Sequence, residues 1–156
     1  MIIRVAELDD VPAIVKGNRN IAFETEKQRL DTKTLAHGVS TLIKNPRLGR
    51  YWICSTAKNQ ICGQIMVTYE WSDWRNAQIW WVQSVYVWPD FRRQGVFKKL
   101  IEHVELEARS NEVPLLRLYA EVANLNAHQT YLKTGFKTGT YQVFSKQISA
   151  TDKKLS

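Results

Sequence analysis

The segment Gln83–Ile101 constrains the fold of this chain more than any other. It begins in a β-branched and aromatic run that predicts a buried strand and ends at Pro89, which cannot donate to a sheet. Gly95 follows two arginines, and beyond it apolar residues recur at helical spacing. The order is therefore strand, basic turn with glycine, helix. The N-terminus of such a helix has unpaired N–H groups, which bind anionic phosphate groups.

The turn resembles the pyrophosphate loop of the GNAT superfamily of acyl-CoA N-acyltransferases. That loop reads Q/R-x-x-G-x-G/A and is similar to positions 92–97. Phe97 departs from the pattern, since Gly or Ala is more common there, but a side chain that points into the core is tolerable because backbone amides bind the phosphates. The resemblance implies that the cofactor-binding residues of this loop are Arg92, Arg93, Gln94, Gly95, Val96, Phe97 and Lys98. It also implies that the backbone of Val85 and Val87 pairs with the pantetheine arm of acetyl-CoA.

A second motif strengthens the resemblance. The run Asn124–Phe136 matches the family pattern N-x-x-A-x-x-x-Y-x-x-x-G-F at all marked positions. By this resemblance, Asn124 contacts the pantetheine arm or the substrate region, and the Tyr131 hydroxyl lies near the thioester sulfur. A phenol of pKa about 10 can protonate a departing thiolate of pKa about 8.5. A helix capped by Asn124 and ended by Gly135 accounts for the same residues, and the pairing with the glycine loop favours the functional interpretation.

The order of elements predicts a mixed α/β fold, βααβββαβαβ, with a central mixed sheet flanked by helices. Strands 2–4 should form an antiparallel meander, and the helix after Gly95 should cross over to a parallel fifth strand. This is also the order of the GNAT fold. We expect a single domain at 1–149 and a polar tail at 150–156. The first helix should end near Phe23, the last strand should span 137–148, and Gly63 should mark a bulge or a close approach.

The general base has several candidates. An alkylammonium substrate must lose a proton before it attacks a thioester, and a carboxylate can accept it. Many family members carry a glutamate on the fourth strand, where this chain has Gln83 and Ser84. Glu24 is the first choice, because the link after the first helix borders the acceptor pocket in that fold. The alternatives are Glu26, Glu70 and Asp73, and for each candidate the competing interpretation is a solvated loop charge.

Large aromatic residues occupy the connection between the third and fourth strands. Trp71 and Trp74 lie beside Glu70 and Asp73, a set that predicts a substrate-binding cage for a cationic or aromatic amine. A loop packed on its own aromatics is an equal alternative. Exposed tryptophan in a strand-rich protein also leads us to expect a homodimer.

Composition narrows the classes of partner. The net charge is +7, and the basic residues are scattered apart from a cluster around the glycine turn and a lysine pair in the tail. The cluster suits a compact phosphate ligand better than a nucleic-acid duplex. We therefore expect no nucleic-acid partner. Cys54 and Cys62 read as reduced core thiols, and two cysteines with three scattered histidines predict no metal site. The sequence contains no membrane-span or signal-peptide pattern, so we expect a cytoplasmic protein without a membrane partner.

These observations favour an acetyl-CoA-dependent N-acetyltransferase that acts on a small-molecule or peptide amine. No nucleophilic cysteine or serine stands at a strained turn, so we expect direct transfer in a ternary complex rather than an acyl-enzyme. The alternative is a non-catalytic acyl-CoA-binding or sensing module of the same fold. Release of free thiol in the presence of amines would separate the two.

Overall fold

The computed structural model describes residues 1–148 and has the mixed α/β architecture expected from the sequence. Its helices and strands are β1 (Ile2–Val5), α1 (Val11–Glu26), α2 (Thr32–Lys44), β2 (Gly49–Ser55), β3 (Ile61–Ser72), β4 (Ala77–Val87), α3 (Val96–Ser110), β5 (Leu116–Arg117) and α4 (Leu125–Lys133). The predicted polar tail at 150–156 lies outside the described residues. Within those residues, no helix combines the length and apolar character that crossing a membrane requires.

The five strands form one sheet in the order β1-β2-β3-β4-β5. The first four are antiparallel to their neighbours, and β5 runs parallel to β4 after the α3 crossover, as predicted. β4 pairs with β5 at two positions only, where Trp80 and Trp81 face Leu116 and Arg117. Among the described residues, no further pair of the two parallel strands follows Trp81, so the β5 side of β4 is open from Val82 onward. The candidate site lies at this open edge.

Apolar side chains are buried on both faces of the sheet. One cluster joins the sheet to α3, and the other joins it to α1 and α2. Gly63 sets the spacing on the α3 side, because a β-carbon there would lie 2.8 Å from Cγ1 of Val96 and 3.0 Å from Cδ1 of Leu100. The predicted close approach at Gly63 is confirmed. Helix α3 therefore rests on the sheet where one strand residue has no side chain.

The first helix is longer than predicted. It ends at Glu26 rather than near Phe23. Asn18 and Asn20 have low helix propensity, but their side-chain amides donate to hydroxyl groups of two tyrosines on the sheet, at 3.0 and 3.1 Å. These bonds hold the helix against the sheet through its polar stretch. Glu24 consequently lies in the last turn of α1 and not in a link.

The predicted last strand, 137–148, is not formed in the part of the chain that the structure describes. The side chains of this segment alternate as in a strand, but a strand needs a partner backbone, and the neighbouring strand β5 has only two residues. The large side chains of this segment are consequently exposed: Tyr141, Val143, Phe144 and Ile148.

Candidate functional site

An open strand edge forms one wall of the candidate site. Between Val82 and Val87, β4 pairs with β3 on one side, and the described residues supply no strand partner on the other. The side chains of Val85 and Val87 pack against the α3 cluster. Only their backbone groups are therefore available to a ligand that lies along this edge, as a peptide-like pantetheine arm would.

A β-bulge bends this edge. The register of β3 and β4 shifts by one residue between the pairs Gln64–Tyr86 and Met66–Gln83. Ser84 has a φ of +49°, in the left-handed region that serine seldom occupies. A bulge increases the local twist of its strand and leaves one residue out of the regular pairing. The strand is thus reshaped immediately before Val85.

The loop after β4 presents unpaired amide groups to open space. Gly95 has a φ of +78° and precedes the first residue of α3. The first bond of the helix runs from the Lys99 amide to the Gly95 carbonyl at 3.1 Å, so the amides of residues 96–98 precede it. A β-carbon at Gly95 would meet no atom within 4 Å. This helix N-terminus, with Arg93 and Lys98 exposed beside it, fits an anionic pyrophosphate group.

Arg92 and Glu24 are brought together at the ends of β4 and α1. The Nε of Arg92 donates to the Val87 carbonyl at 3.0 Å, and its Nη2 pairs with Glu24 at 2.8 Å. Glu24 also accepts a hydrogen bond of 2.9 Å from the Tyr86 hydroxyl. Burial, followed by the bond to Glu24, raises the pKa of Tyr86, so this hydroxyl keeps its proton and donates. The Arg92 side chain therefore points along β4 towards α1.

Tyr131 lies beside the first turn of α3. Its ring centroid is 5.7 Å from that of Phe97 and 6.1 Å from that of Phe136. Burial raises the pKa of Tyr131, and its hydroxyl has no hydrogen-bond partner among residues 1–148. Phe97 packs against the α3 cluster, as a side chain at that position of the loop must if the amides are to stay accessible. The arrangement leaves a protonated phenol beside the first turn of α3.

The remaining residues of the second motif define helix α4. The Oδ1 of Asn124 accepts a bond of 3.1 Å from the Ala127 amide and so caps the helix. Gly135, with a φ of +90°, ends it, and the Phe136 amide closes back on the Tyr131 carbonyl at 3.1 Å. The structural role of these residues is plain. It leaves the side-chain NH₂ of Asn124 as the group that could donate to a ligand.

The predicted aromatic cage is not near the loop. Trp71 and Trp74 lie at the β3–β4 turn, at the opposite end of β4 from Gly95. Strand β4 has 11 residues, which separates its ends by roughly 33 Å. Trp74 is 88% exposed, so the turn is not packed on its own aromatics either. The cage stays a prediction, and in the structure it lies far from the glycine loop.

The acidic residues of the predicted cage have local partners. Glu70 accepts from the Trp81 indole nitrogen and pairs with Arg117 at 3.4 Å. Asp73 accepts a bond of 2.9 Å from the Trp74 amide inside the turn. Both carboxylates thus stabilise the end of the sheet that lies away from the glycine loop.

Two residues that touch this site were missed by the sequence reasoning. Tyr86 was treated only as part of a buried strand, although its alternation with Val85 and Val87 places its side chain on the opposite face. Gln64 was not singled out, although it is the one amide side chain inside the apolar run of β3. A polar residue in such a run was the available signal.

A wide crevice lies on the outer side of helix α1. It has a volume of about 670 Å³ and lies between α1 and the segment that follows it. Four of its lining residues recur at helical spacing: Pro12, Lys16, Arg19 and Phe23. Ile14 and Asn18, on the opposite face of α1, are buried against the sheet. The crevice also reaches Asn20, whose side-chain amide donates to the Tyr86 hydroxyl, so it borders the Tyr86–Glu24 side of the candidate site.

Known proteins resemble this chain in sequence and in structure. A family model for an acetyltransferase (GNAT) domain matches residues 47–138. A possible acetyltransferase from Clostridium difficile 630 is 38% identical, with a TM-score of 0.90 over 96% of this chain and 98% of that one. A predicted acetyltransferase from Clostridium acetobutylicum, solved with acetyl-CoA, is 18% identical, with a TM-score of 0.77 over 93% and 95%. No curated protein gives a significant match.

Proposed function

Because the chain belongs to the GNAT acetyltransferase family, we propose that it transfers an acetyl group from acetyl-CoA to a primary amine of a small molecule or peptide. The observation that carries the proposal is the continuity of the site. The unpaired edge of β4 leads directly to the unpaired N-terminus of α3, and Tyr131 lies beside that first turn. A ligand that combines an anionic pyrophosphate with a peptide-like arm suits this arrangement.

The proposed binding mode uses backbone groups first. The pyrophosphate lies on the amides of residues 96–98, and the exposed side chains of Arg93 and Lys98 add positive charge. The pantetheine arm runs along β4 and bonds to the backbone of Val85 and Val87. Acetyl-CoA in the Clostridium acetobutylicum relative of the same fold supports the choice of ligand.

The proposed reaction is a direct attack. The amine nitrogen forms a bond to the thioester carbon, and the bond from that carbon to sulfur breaks. Tyr131 gives its proton to the departing thiolate, and Glu24 takes the proton that the amine loses. The raised pKa of Tyr131 favours the protonated acid. Glu24 is bonded to Tyr86 and Arg92, so it must exchange one of these donors to accept the proton.

The test of this function is thiol release from acetyl-CoA with a panel of primary amines. We expect calorimetry to show binding of acetyl-CoA and at least one amine to accelerate thiol release. Binding without release by any amine class would instead favour the non-catalytic module. A protein that does not bind acetyl-CoA at all would contradict the proposal.

The base is tested by Glu24→Gln. A positioned base contributes about 10²–10⁴-fold to the chemical step, so turnover should fall by that order. Glu26→Gln is the matched control, because it removes the same charge from the same turn of α1, where Glu26 is exposed. If the Glu24 variant loses stability but keeps its turnover rate, Glu24 only anchors Arg92.

A further inference from the structure

A chain of buried polar groups runs from helix α1 to the bulge in β4. The side-chain amide of Gln64 donates to Oδ1 of Asn18 at 2.7 Å and makes a longer contact of 3.4 Å to the Ser84 carbonyl. The Asn18 amide in turn donates to the Tyr51 hydroxyl at 3.0 Å. Gln64 is completely buried, and Asn18 and Tyr51 are nearly so. The network therefore links a helix, two neighbouring strands and the bulge in the interior of the protein.

This network is not optimal for stability. The Oε1 of Gln64 is buried and has no hydrogen-bond partner among residues 1–148. An unpaired buried acceptor is destabilising, and an apolar side chain of the same shape would avoid that cost. The helix also needs Gly17 to accommodate it, because a β-carbon there would lie 2.3 Å from that oxygen. Packing alone therefore does not explain why a glutamine occupies this position.

The bulge supplies that reason. Ser84 holds a left-handed backbone in the middle of a strand, and such a conformation persists only where the surroundings impose it. Gln64 is the side chain that reaches its carbonyl group. Asn18 holds the Gln64 amide in place from the helix side. Two buried side chains, one on α1 and one on β3, thus support the carbonyl group at the point where the strand changes direction.

We propose that Gln64, held by Asn18, is a positioning residue for acetyl-CoA. It fixes the Ser84 carbonyl and thereby the direction of the backbone at Val85 and Val87, which bonds to the pantetheine arm. Neither Gln64 nor Asn18 touches the ligand. This inference rests on the proposed function, since it concerns the geometry of the same ligand edge.

The test compares binding with stability. Gln64→Met keeps the length of the side chain and removes its polar groups. We expect acetyl-CoA affinity, measured by calorimetry, to fall about tenfold, as for the loss of one backbone hydrogen bond to the ligand. In Asn18→Leu/Gln64→Met we expect the same loss of affinity, together with a lower melting temperature because the buried Tyr51 hydroxyl loses its donor. Thr68→Val is the matched control, because it removes a side-chain bond between the same two strands and leaves the Gln64–Ser84 contact in place.

A rescue variant separates positioning from general damage. Glycine adopts the left-handed backbone of residue 84 without strain. Ser84→Gly added to Gln64→Met should therefore recover most of the lost affinity, which no loss of core packing would allow. If Gln64→Met does not fold, Asn18→Leu tests the same link from the helix.

The possible outcomes are distinct. A wild-type protein that fails to bind acetyl-CoA contradicts the proposed function itself. A folded Gln64→Met protein that binds like the wild type overturns the positioning role, and so does a loss that Ser84→Gly does not reverse. A loss of the same size in Thr68→Val would also overturn it.

Discussion

Residues 1–108 and residues 109–148 are built in different ways. The first region buries apolar side chains on both faces of the sheet, whereas the described stretch 109–148 contains no buried residue. The proposed phosphate and pantetheine contacts belong to the first region, and Tyr131 belongs to the second. The second region is held by partly buried contacts such as that of Tyr131 with Phe97. The proposed ligand-binding residues therefore lie in a well-packed region, and the proposed proton donor lies in a loosely packed one. Low contact density implies low local stability.

The largest expected effect is in the first region, at Gly95. Gly95→Val places a branched side chain in the open space before α3 and forces it into a left-handed backbone. Acetyl-CoA binding should be abolished, because the phosphates need that space. Calorimetry measures the binding, and circular dichroism checks the fold. Unchanged affinity in a folded variant would show that the pyrophosphate does not bind at this loop.

The next effect is in the second region, at Tyr131. Tyr131→Phe removes one hydroxyl and keeps the ring contacts, so turnover should fall about 10²–10⁴-fold with little change in acetyl-CoA affinity. An unperturbed tyrosine has a pKa of about 10, and burial raises the pKa of Tyr131. Deprotonation of the Tyr131 hydroxyl should therefore not lower the wild-type rate at a pH below about 10. Tyr141→Phe, the same change at an exposed position, is the control. Wild-type turnover in Tyr131→Phe would leave this tyrosine a packing residue only.

The difference in packing is tested by two leucines. Leu100 is fully buried on α3, and Leu132 on α4 is half-exposed. Leu100→Ala should lower the free energy of unfolding by about 2–5 kcal/mol, whereas Leu132→Ala should change it by no more than about 0.5 kcal/mol. Urea unfolding measures both. Equal losses would mean that the second region is as well packed as the first.

The smallest effect concerns association. The exposed aromatic and aliphatic side chains of 137–148 lead us to expect that the protein forms a homodimer that covers them. Phe144→Ser should then weaken the dimer in light-scattering measurements over a range of concentrations. Leu106→Ser, at an exposed position of α3, is the control. A wild-type protein that stays monomeric at every concentration would contradict this expectation.

The sequence predicted the first region well because its signals are local. The strand, the Gly95 turn and the amphipathic α3 are each encoded within a few residues. The start of α2 is local in the same way, because the Asp31 side chain accepts a bond of 2.7 Å from the Thr34 amide. The end of α1 was misplaced because Asn18 and Asn20, poor helix residues by propensity, are satisfied by distant tyrosines. Such compensation across the sheet is not visible along the chain.

The second region was predicted less well for a related reason. The alternation at 137–148 is a valid strand pattern, but whether a strand forms depends on a neighbouring edge, and β5 is shorter than its sequence indicates. The candidate site shows the same limit. The glycine loop and Tyr131 were found by pattern, while the bond from Glu24 to Tyr86 and the support of Ser84 by Gln64 arise only when distant segments meet.

Because Gly63 has no side chain, the first turn of α3 lies directly against the sheet at this position. The same turn carries the amides proposed to bind phosphate, and Val96 and Leu100 already touch the position where a methyl group would stand. A single added methyl should therefore lift the phosphate-binding end of the helix relative to the strand that holds the rest of the ligand. Calorimetry on Gly63→Ala would detect the resulting loss of acetyl-CoA affinity. We therefore expect the affinity for acetyl-CoA to depend on how closely α3 packs on the sheet, and not only on the groups that contact the ligand.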